Sequence, residues 1–200
     1  MSRVPILDNG HGGVINGIYQ TPGKRSPNWD KGILYEGMFN RWIINGLMKE
    51  LDKRSIPYYH VSPELEDISL KERVTRANKI YNLNPNTYFI SVHANAGGGK
   101  GAEVFTSPGY TTSDKITNDV FIPAYERLVG SIQKLRVDTS DRDKDKEAKF
   151  FVLTQTKCPA FLFEAAFMDN KQNYNLLWSE DFHKLIIEFL ADGIEYLYKN

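Results

Sequence analysis

A chain of 200 residues, 41% hydrophobic and 25% charged, is long enough for one core of its own and too apolar for disorder. Its 25 Lys and Arg balance 25 Asp and Glu, so no excess of positive charge asks for nucleic acid as a partner. The single cysteine, Cys158, excludes an internal disulfide and any zinc site built from several thiolates. Unbroken apolar runs, such as residues 150–153 (FFVL), are too short to span a membrane. Residues 1–8 (MSRVPILD) lack the apolar core of a signal peptide, so the chain is expected to stay in the cytoplasm on synthesis.

In chain order, residues 4–7 (VPIL) read as a strand that ends on Asp8-Asn9-Gly10-His11-Gly12-Gly13. Phe39, Trp42, Ile43, Leu47 and Leu51 repeat at helical spacing and give a first helix. A strand over 56–61 (IPYYHV) follows, then a second helix on Leu70, Val74, Ala77, Ile80 and Tyr81, with Ser69 and Glu72 as its capping box. Residues 88–92 (YFISV) form a strand that runs into His93, and 101–106 (GAEVFT) form another. Val120, Phe121, Leu128, Ile132 and Leu135 predict a third helix, kinked or interrupted at Pro123. The charged stretch 138–149 reads as a solvated loop. Strands over 150–154 (FFVLT) and 160–163 (AFLF) precede a last helix from Phe182 to Leu197, capped by Ser179. Continuous apolar strands alternating with amphipathic helices specify the α/β class. The expected architecture is a single open, mostly parallel twisted sheet of about six strands with helices on both faces, forming one domain over 1–200.

In such sheets the ligand crevice lies outside the carboxyl ends of the strands. The strands at 4–7, 88–92 and 160–163 bring His11, His93 and Glu164 to those ends. Two histidines meeting there from distant points of the chain indicate a metal site, since imidazole is the commonest ligand for zinc. A catalytic zinc keeps three protein ligands and one open position, so a third ligand is expected at the same edge. Glu36 is the candidate, at the start of the first helix, where a carboxylate is also favourable electrostatically. On spacing alone, decoration of the first turn is the more ordinary reading of such a glutamate. Glu164 interrupts the apolar stretch 160–168, where an unpaired carboxylate is costly to bury. It needs either a cation beside it or a polar crevice in front of it.

The glycines around His11 allow close backbone approach to an ion or substrate, whereas Gly97-Gly98-Gly99 read as a flexible loop. His60 and His183 read as packed or surface residues, and Cys158 as packing, with no base beside it in the sequence. The many Tyr and Phe fall mostly on apolar faces, which favours core packing over a carbohydrate platform.

Residues 6–13 (ILDNGHGG) resemble the N-terminal zinc motif of the N-acetylmuramoyl-L-alanine amidases of the amidase-3 type, and 90–96 (ISVHANA) resemble that family's second histidine motif. Residues 69–74 (SLKERV) with Ala77-Asn78, 101–104 (GAEV), Val152-Leu153 and 156–160 (TKCPA) are similar too. Residues 161–164 (FLFE) match the stretch that ends in the family's catalytic glutamate. The likeness spans nearly the whole chain in the family's order. It departs at Asn9, where the family usually has proline, in the turn before His11 and not at a ligand.

The resemblance implies one Zn2+ per chain held by His11, Glu36 and His93, with Glu164 as the catalytic carboxylate. It implies hydrolysis of the amide between N-acetylmuramic acid and L-alanine, with peptidoglycan as the partner and no membrane insertion. Asp8 and Asn95 are candidates for orienting the histidines. A stand-alone amidase without a signal resembles phage endolysins, which act on the cell wall after release from the cytoplasm; a virion-associated lysin and an excised catalytic domain, secreted or periplasmic, are the other readings. The rival functions are a zinc peptidase cutting within the stem peptide and a catalytically silent cell-wall-binding domain.

Overall fold

The strands in chain order are β1 (Val4–Asp8), β2 (Val14–Ile15), β3 (Ile18–Tyr19), β4 (Tyr59–His60), β5 (Thr87–Asn95), β6 (Glu103–Thr106), β7 (Lys146–Glu147) and β8 (Ala160–Phe167). The helices are α1 (Glu36–Lys53), α2 (Leu70–Leu83), α3 (Thr112–Ile116), α4 (Ile122–Leu128), α5 (Phe151–Gln155), α6 (Lys171–Leu177) and α7 (Glu180–Lys199), with a π-helical turn, Thr117–Phe121, between α3 and α4. This computed structural model describes residues 2–109 and 111–200. Six strands form one sheet in the order β4-β1-β5-β8-β6-β7, and β2 and β3 pair in a small ribbon after His11. Strands β4, β1, β5 and β8 are parallel, and β6 runs antiparallel to β8, so the mostly parallel α/β sheet expected from the sequence is present.

Alternation along the strands divides two cores. Leu7, Ile90, Val92, Phe161 and Phe163 point to the face covered by α1, α4 and α7. Ile6, Phe89, Ala160 and Leu162 point to the face covered by α2 and α5. Helix α7 docks through Phe182, Ile186, Phe189, Leu190 and Ile194, all buried. Each such side chain contributes about 1.5–3 kcal/mol, so packing outweighs the Ser179 cap, worth about 1 kcal/mol. Pro5 is tolerated inside β1 because β4 pairs only with Ile6 and Leu7, beyond it.

Several elements differ from the sequence reading. The run 150–154 is no strand: Leu153 and Thr154 both donate to Phe150 O, closing the short helix α5. An apolar run of this length fits a buried strand or one side of a helix equally well. The sixth place in the sheet belongs instead to β7, inside the stretch read as a loop. It is a two-residue edge strand of charged residues, a common way of blunting a sheet edge. The third helix ends at Leu128, short of Ile132 and Leu135; its interruption at Pro123 is present, as the π turn Thr117–Phe121 that runs directly into α4. Helix α6, capped by Asn170, was not anticipated. Ser69 caps α2 at Glu72 N–H as expected, but the Glu72 carboxylate is taken by Arg76.

Candidate metal centre

The site forms where β1, β5 and β8 emerge beyond the α2–α5 face. Period-two alternation puts Ser91 and His93 of β5 on that face, with Glu164 of β8 beside His93 in register. Glu103 of β6 lies on the other side of Glu164, so three polar side chains form a row across the sheet. Strand β8 continues to Phe167, which places Glu164 within the strand and not at its end as the sequence suggested.

His11 lies beyond β1 with φ +61°, a conformation that costs a residue with a Cβ on the order of 1–3 kcal/mol. The loop is clamped in compensation. Arg41 Nη1 donates to His11 O and Gly37 O, both at 2.9 Å, and Asn40 Nδ2 donates to Gly10 O at 3.1 Å. Two glycines are required by space: a Cβ on Gly10 would lie 2.3 Å from His93 Cε1, and one on Gly37 would lie 1.9 Å from Gly12 O. Helix α1 therefore starts in direct contact with the His11 loop, and Glu36 is its first residue.

Glu36 Oε1 lies 3.2 Å from His11 Nε2 and 2.8 Å from His93 Nδ1, and the two rings meet edge to face at 5.0 Å. One donor atom from each residue falls within 4.8 Å of the other two, a spacing that suits a single cation. Burial opposes ionisation of Glu36; when the two histidines are protonated, their hydrogen bonds and charge outweigh burial and hold the carboxyl well below its usual range, a donation that a neutral His93 with its proton on Nε2 does not make.

A hydrogen-bond chain fixes His93. Its Nε2 lies 3.0 Å from Ser91 Oγ, which donates to Asp8 Oδ2 at 2.6 Å. With its own proton committed to Asp8, Ser91 accepts from His93 Nε2–H, which leaves the Nδ1 lone pair facing Glu36. Two acceptors meet there at 2.8 Å, an arrangement that a bound cation relieves. This is the fit a metal requires, and two imidazole nitrogens with one carboxylate oxygen is a zinc donor set.

Asp8 is fully buried, but Arg73 Nη1 and Ser62 Oγ both donate to its Oδ1 at 2.7 Å. Burial raises its pKa, while Arg73, Ser91 and Ser62 more than reverse this and keep it ionised. Asp8 thus reaches a histidine through Ser91. Asn95 does not: its Nδ2 donates to Glu103 Oε2 at 2.6 Å, and its Oδ1 accepts from the Ala96 N–H. The extra residue at the irregularity beside His93 lies in β8, between Glu164 and Phe167, so Asn95 stays on the face of His93 but turns its amide to Glu103.

Glu164 keeps one buried oxygen, Oε2, without a hydrogen-bond partner. Burial and the neighbouring Glu36 charge push its carboxyl well above the usual range. A cation at the triad would act in the opposite sense. A cleft of about 630 Å³ opens in front of these groups, lined by Asp8, His11, His93 and Glu164, by Lys24, and by Leu70, Phe150 and Phe151.

The structure brings His11, Glu36 and His93 together, with Glu164 alongside. Sequence reasoning missed Ser91, Arg73 and Arg41. Ser91 could have been found, since it stands two residues before His93 on a strand and shares its face. The remaining residues stay outside the centre. His60 meets Asn9 Oδ1, and the Asn9 N–H donates to Ser62 Oγ at 3.2 Å, a bond proline could not make. His183 Nε2 lies 2.7 Å from Leu177 O. Cys158 is buried, and burial pushes its thiol up to about 12.

Residues 6–196 match the family model of N-acetylmuramoyl-L-alanine amidases. The chain is 33% identical to the N-acetylmuramoyl-L-alanine amidase CwlM of Bacillus licheniformis over 152 residues, which cover 76% of this chain and 54% of CwlM. It is 32% identical to the endolysin of Bacillus phage SPP1 over 203 residues, covering 97% of this chain and 65% of that protein. It therefore spans about half the length of the first and about two thirds of the second. The crystal structure of an N-acetylmuramoyl-L-alanine amidase from Clostridium difficile 630 superposes with a TM-score of 0.77 at 22% identity, over 98% of this chain and 96% of that one, so the fold is shared.

Proposed function

Because the chain belongs to the N-acetylmuramoyl-L-alanine amidase family, we propose that it hydrolyses the amide between N-acetylmuramic acid and L-alanine in peptidoglycan, with residues 1–200 acting as one zinc-dependent catalytic domain. The observation that carries this is the single oxygen Glu36 Oε1 shared by His11 Nε2 and His93 Nδ1, with Glu164 next to His93 across the sheet. In this reading His11, Glu36 and His93 hold the zinc. When bound, zinc supplies Lewis-acid polarisation of the scissile carbonyl and lowers the pKa of a coordinated water to about 7.

The remaining work falls to this chain's own side chains. Glu164 Oε2, buried and unpartnered, is free to accept the proton of the attacking water. It then hands that proton to the departing nitrogen of L-alanine, a role typically worth about 100- to 10,000-fold. The Ser91–Asp8 chain keeps the His93 lone pair on Nδ1 and its ring in place. No helix among the described residues is long and apolar enough to cross a membrane, and none is needed to reach a wall polymer.

Two outcomes are expected from this assignment. Purified protein should carry one zinc per chain by elemental analysis, lose wall hydrolysis on chelation, and regain it on adding zinc. Protein without zinc that hydrolyses wall equally well with and without chelator would overturn the metal role. Cys158→Ser should keep specific activity within about two-fold, because the buried thiol lies outside the cleft, while burying a more polar hydroxyl costs about 1 kcal/mol in urea melts. A folded but inactive Cys158→Ser protein would contradict this.

A further inference from the structure

The charges lining the catalytic cleft are nearly all committed. Asp8 is bound by Arg73, Ser62 and Ser91, and Asp67 by Arg73 and Thr21. Arg73 is in turn consumed by those two carboxylates and by Ile68 O. His11, Glu36 and His93 form the metal triad. Lys24 is different: it lines the cleft and is exposed, and no carboxylate lies within ion-pair distance of it among the described residues.

The backbone of Lys24 is anchored while its side chain is free. Its carbonyl accepts from the Glu36 N–H at 3.0 Å and its N–H donates to Thr21 O at 3.2 Å. Lys24 is therefore held to the first residue of α1, the same residue that supplies the triad carboxylate. An unpaired cation tied to the centre is a ready anchor for an anion on the ligand. Elsewhere the cleft wall carries Leu70, Phe150 and Phe151, which are 54%, 40% and 43% exposed and offer apolar contact but no charge.

We infer that Lys24 forms a carboxylate-binding subsite, which takes a free carboxylate of the stem peptide close to the scissile amide. This rests on the amidase reading for the identity of the peptide. The ligand class is an acidic peptide whose amino-terminal residue is the alanine released by cleavage. A free carboxylate on the following residue binds, and its primary amide loses the ion pair.

The test uses calorimetry on the whole protein with two probes, L-alanyl-D-glutamate and the same dipeptide with its α-carboxylate as the amide, each blocked identically elsewhere. Wild-type protein is expected to bind the acid about ten-fold more tightly than the amide. Lys24→Gln should remove that preference without altering affinity for the amide, and Lys24→Arg should restore most of it. In parallel, hydrolysis of muropeptides bearing the same acid or amide should show KM for the acid raised about ten-fold by Lys24→Gln, with kcat nearly unchanged. Equal affinity of wild-type protein for acid and amide, or an equal loss on both probes in Lys24→Gln, overturns the inference. A kcat-only effect on both muropeptides also overturns it and moves Lys24 to the service of Glu164. Lys24-dependent binding in a protein that hydrolyses neither muropeptide supports the subsite and refutes the amidase reading alone.

Discussion

Glu164→Gln should lower peptidoglycan hydrolysis by about 100-fold or more while leaving the zinc content at one per chain. The substitution keeps the shape of the side chain and removes only its capacity to accept a proton. The three proposed ligands are untouched, and the row His93–Glu164–Glu103 keeps its register. The folded protein should be no less stable than wild type, because a buried carboxyl whose ionisation is opposed by burial and by Glu36 is replaced by a neutral amide. The measurement is turnover of purified wall by metal-loaded protein, with elemental analysis of the same sample. Near-normal turnover with zinc in place would move the base elsewhere.

The largest effect on stability is expected at Arg73. Its guanidinium is almost wholly buried against Asp8, which has no access to water. Arg73→Ala leaves a buried carboxylate without its main counter-charge and should cost about 3–5 kcal/mol in denaturant unfolding. Adding Asp8→Asn to Arg73→Ala removes the stranded charge and should recover part of that loss, a coupling that a double-mutant cycle reads directly. A loss below about 1 kcal/mol in the single variant would show that solvent or another group reaches Asp8. A separate variant distinguishes structure from orientation: Ser91→Ala should cost far less stability than Arg73→Ala yet weaken zinc binding, since Ser91 fixes His93.

Much of this architecture was legible because hydrophobic patterning is a direct record of burial. The apolar strand at 160–163 and the helical stripe from Phe182 to Leu197 both lie where their periods place them. What misled was local ambiguity. Val152 and Leu153 are buried whether residues 150–154 are a strand or a helix, and only the backbone bonds to Phe150 O decide for α5. The charged β7 carries no apolar signal because it lies at the edge of the sheet, held by β6 alone.

At the centre, residue type and topology sufficed to bring His11, His93 and Glu164 to one crevice. The Glu36 position was visible, but its convergence with the histidines depends on Gly37 lying against Gly12 O, a contact with no periodic trace. Arg41 was hidden for a related reason. It stands on a helix otherwise read by its apolar stripe, and its role is to bind carbonyl oxygens of a loop 30 residues away. Asn95 shares the face of His93, as alternation predicts, but its amide is taken by Glu103 of β6, a cross-sheet pairing with no trace in the local sequence.

In the proposed reaction this cleft cuts the muramoyl–alanine amide and no other bond. Mass spectrometry of purified peptidoglycan after digestion by the zinc-loaded protein tests it most directly. The expected products are intact glycan strands and stem peptides that carry a new free amine on L-alanine. Glycan-linked alanine, with new termini only inside the stem peptide, would contradict it.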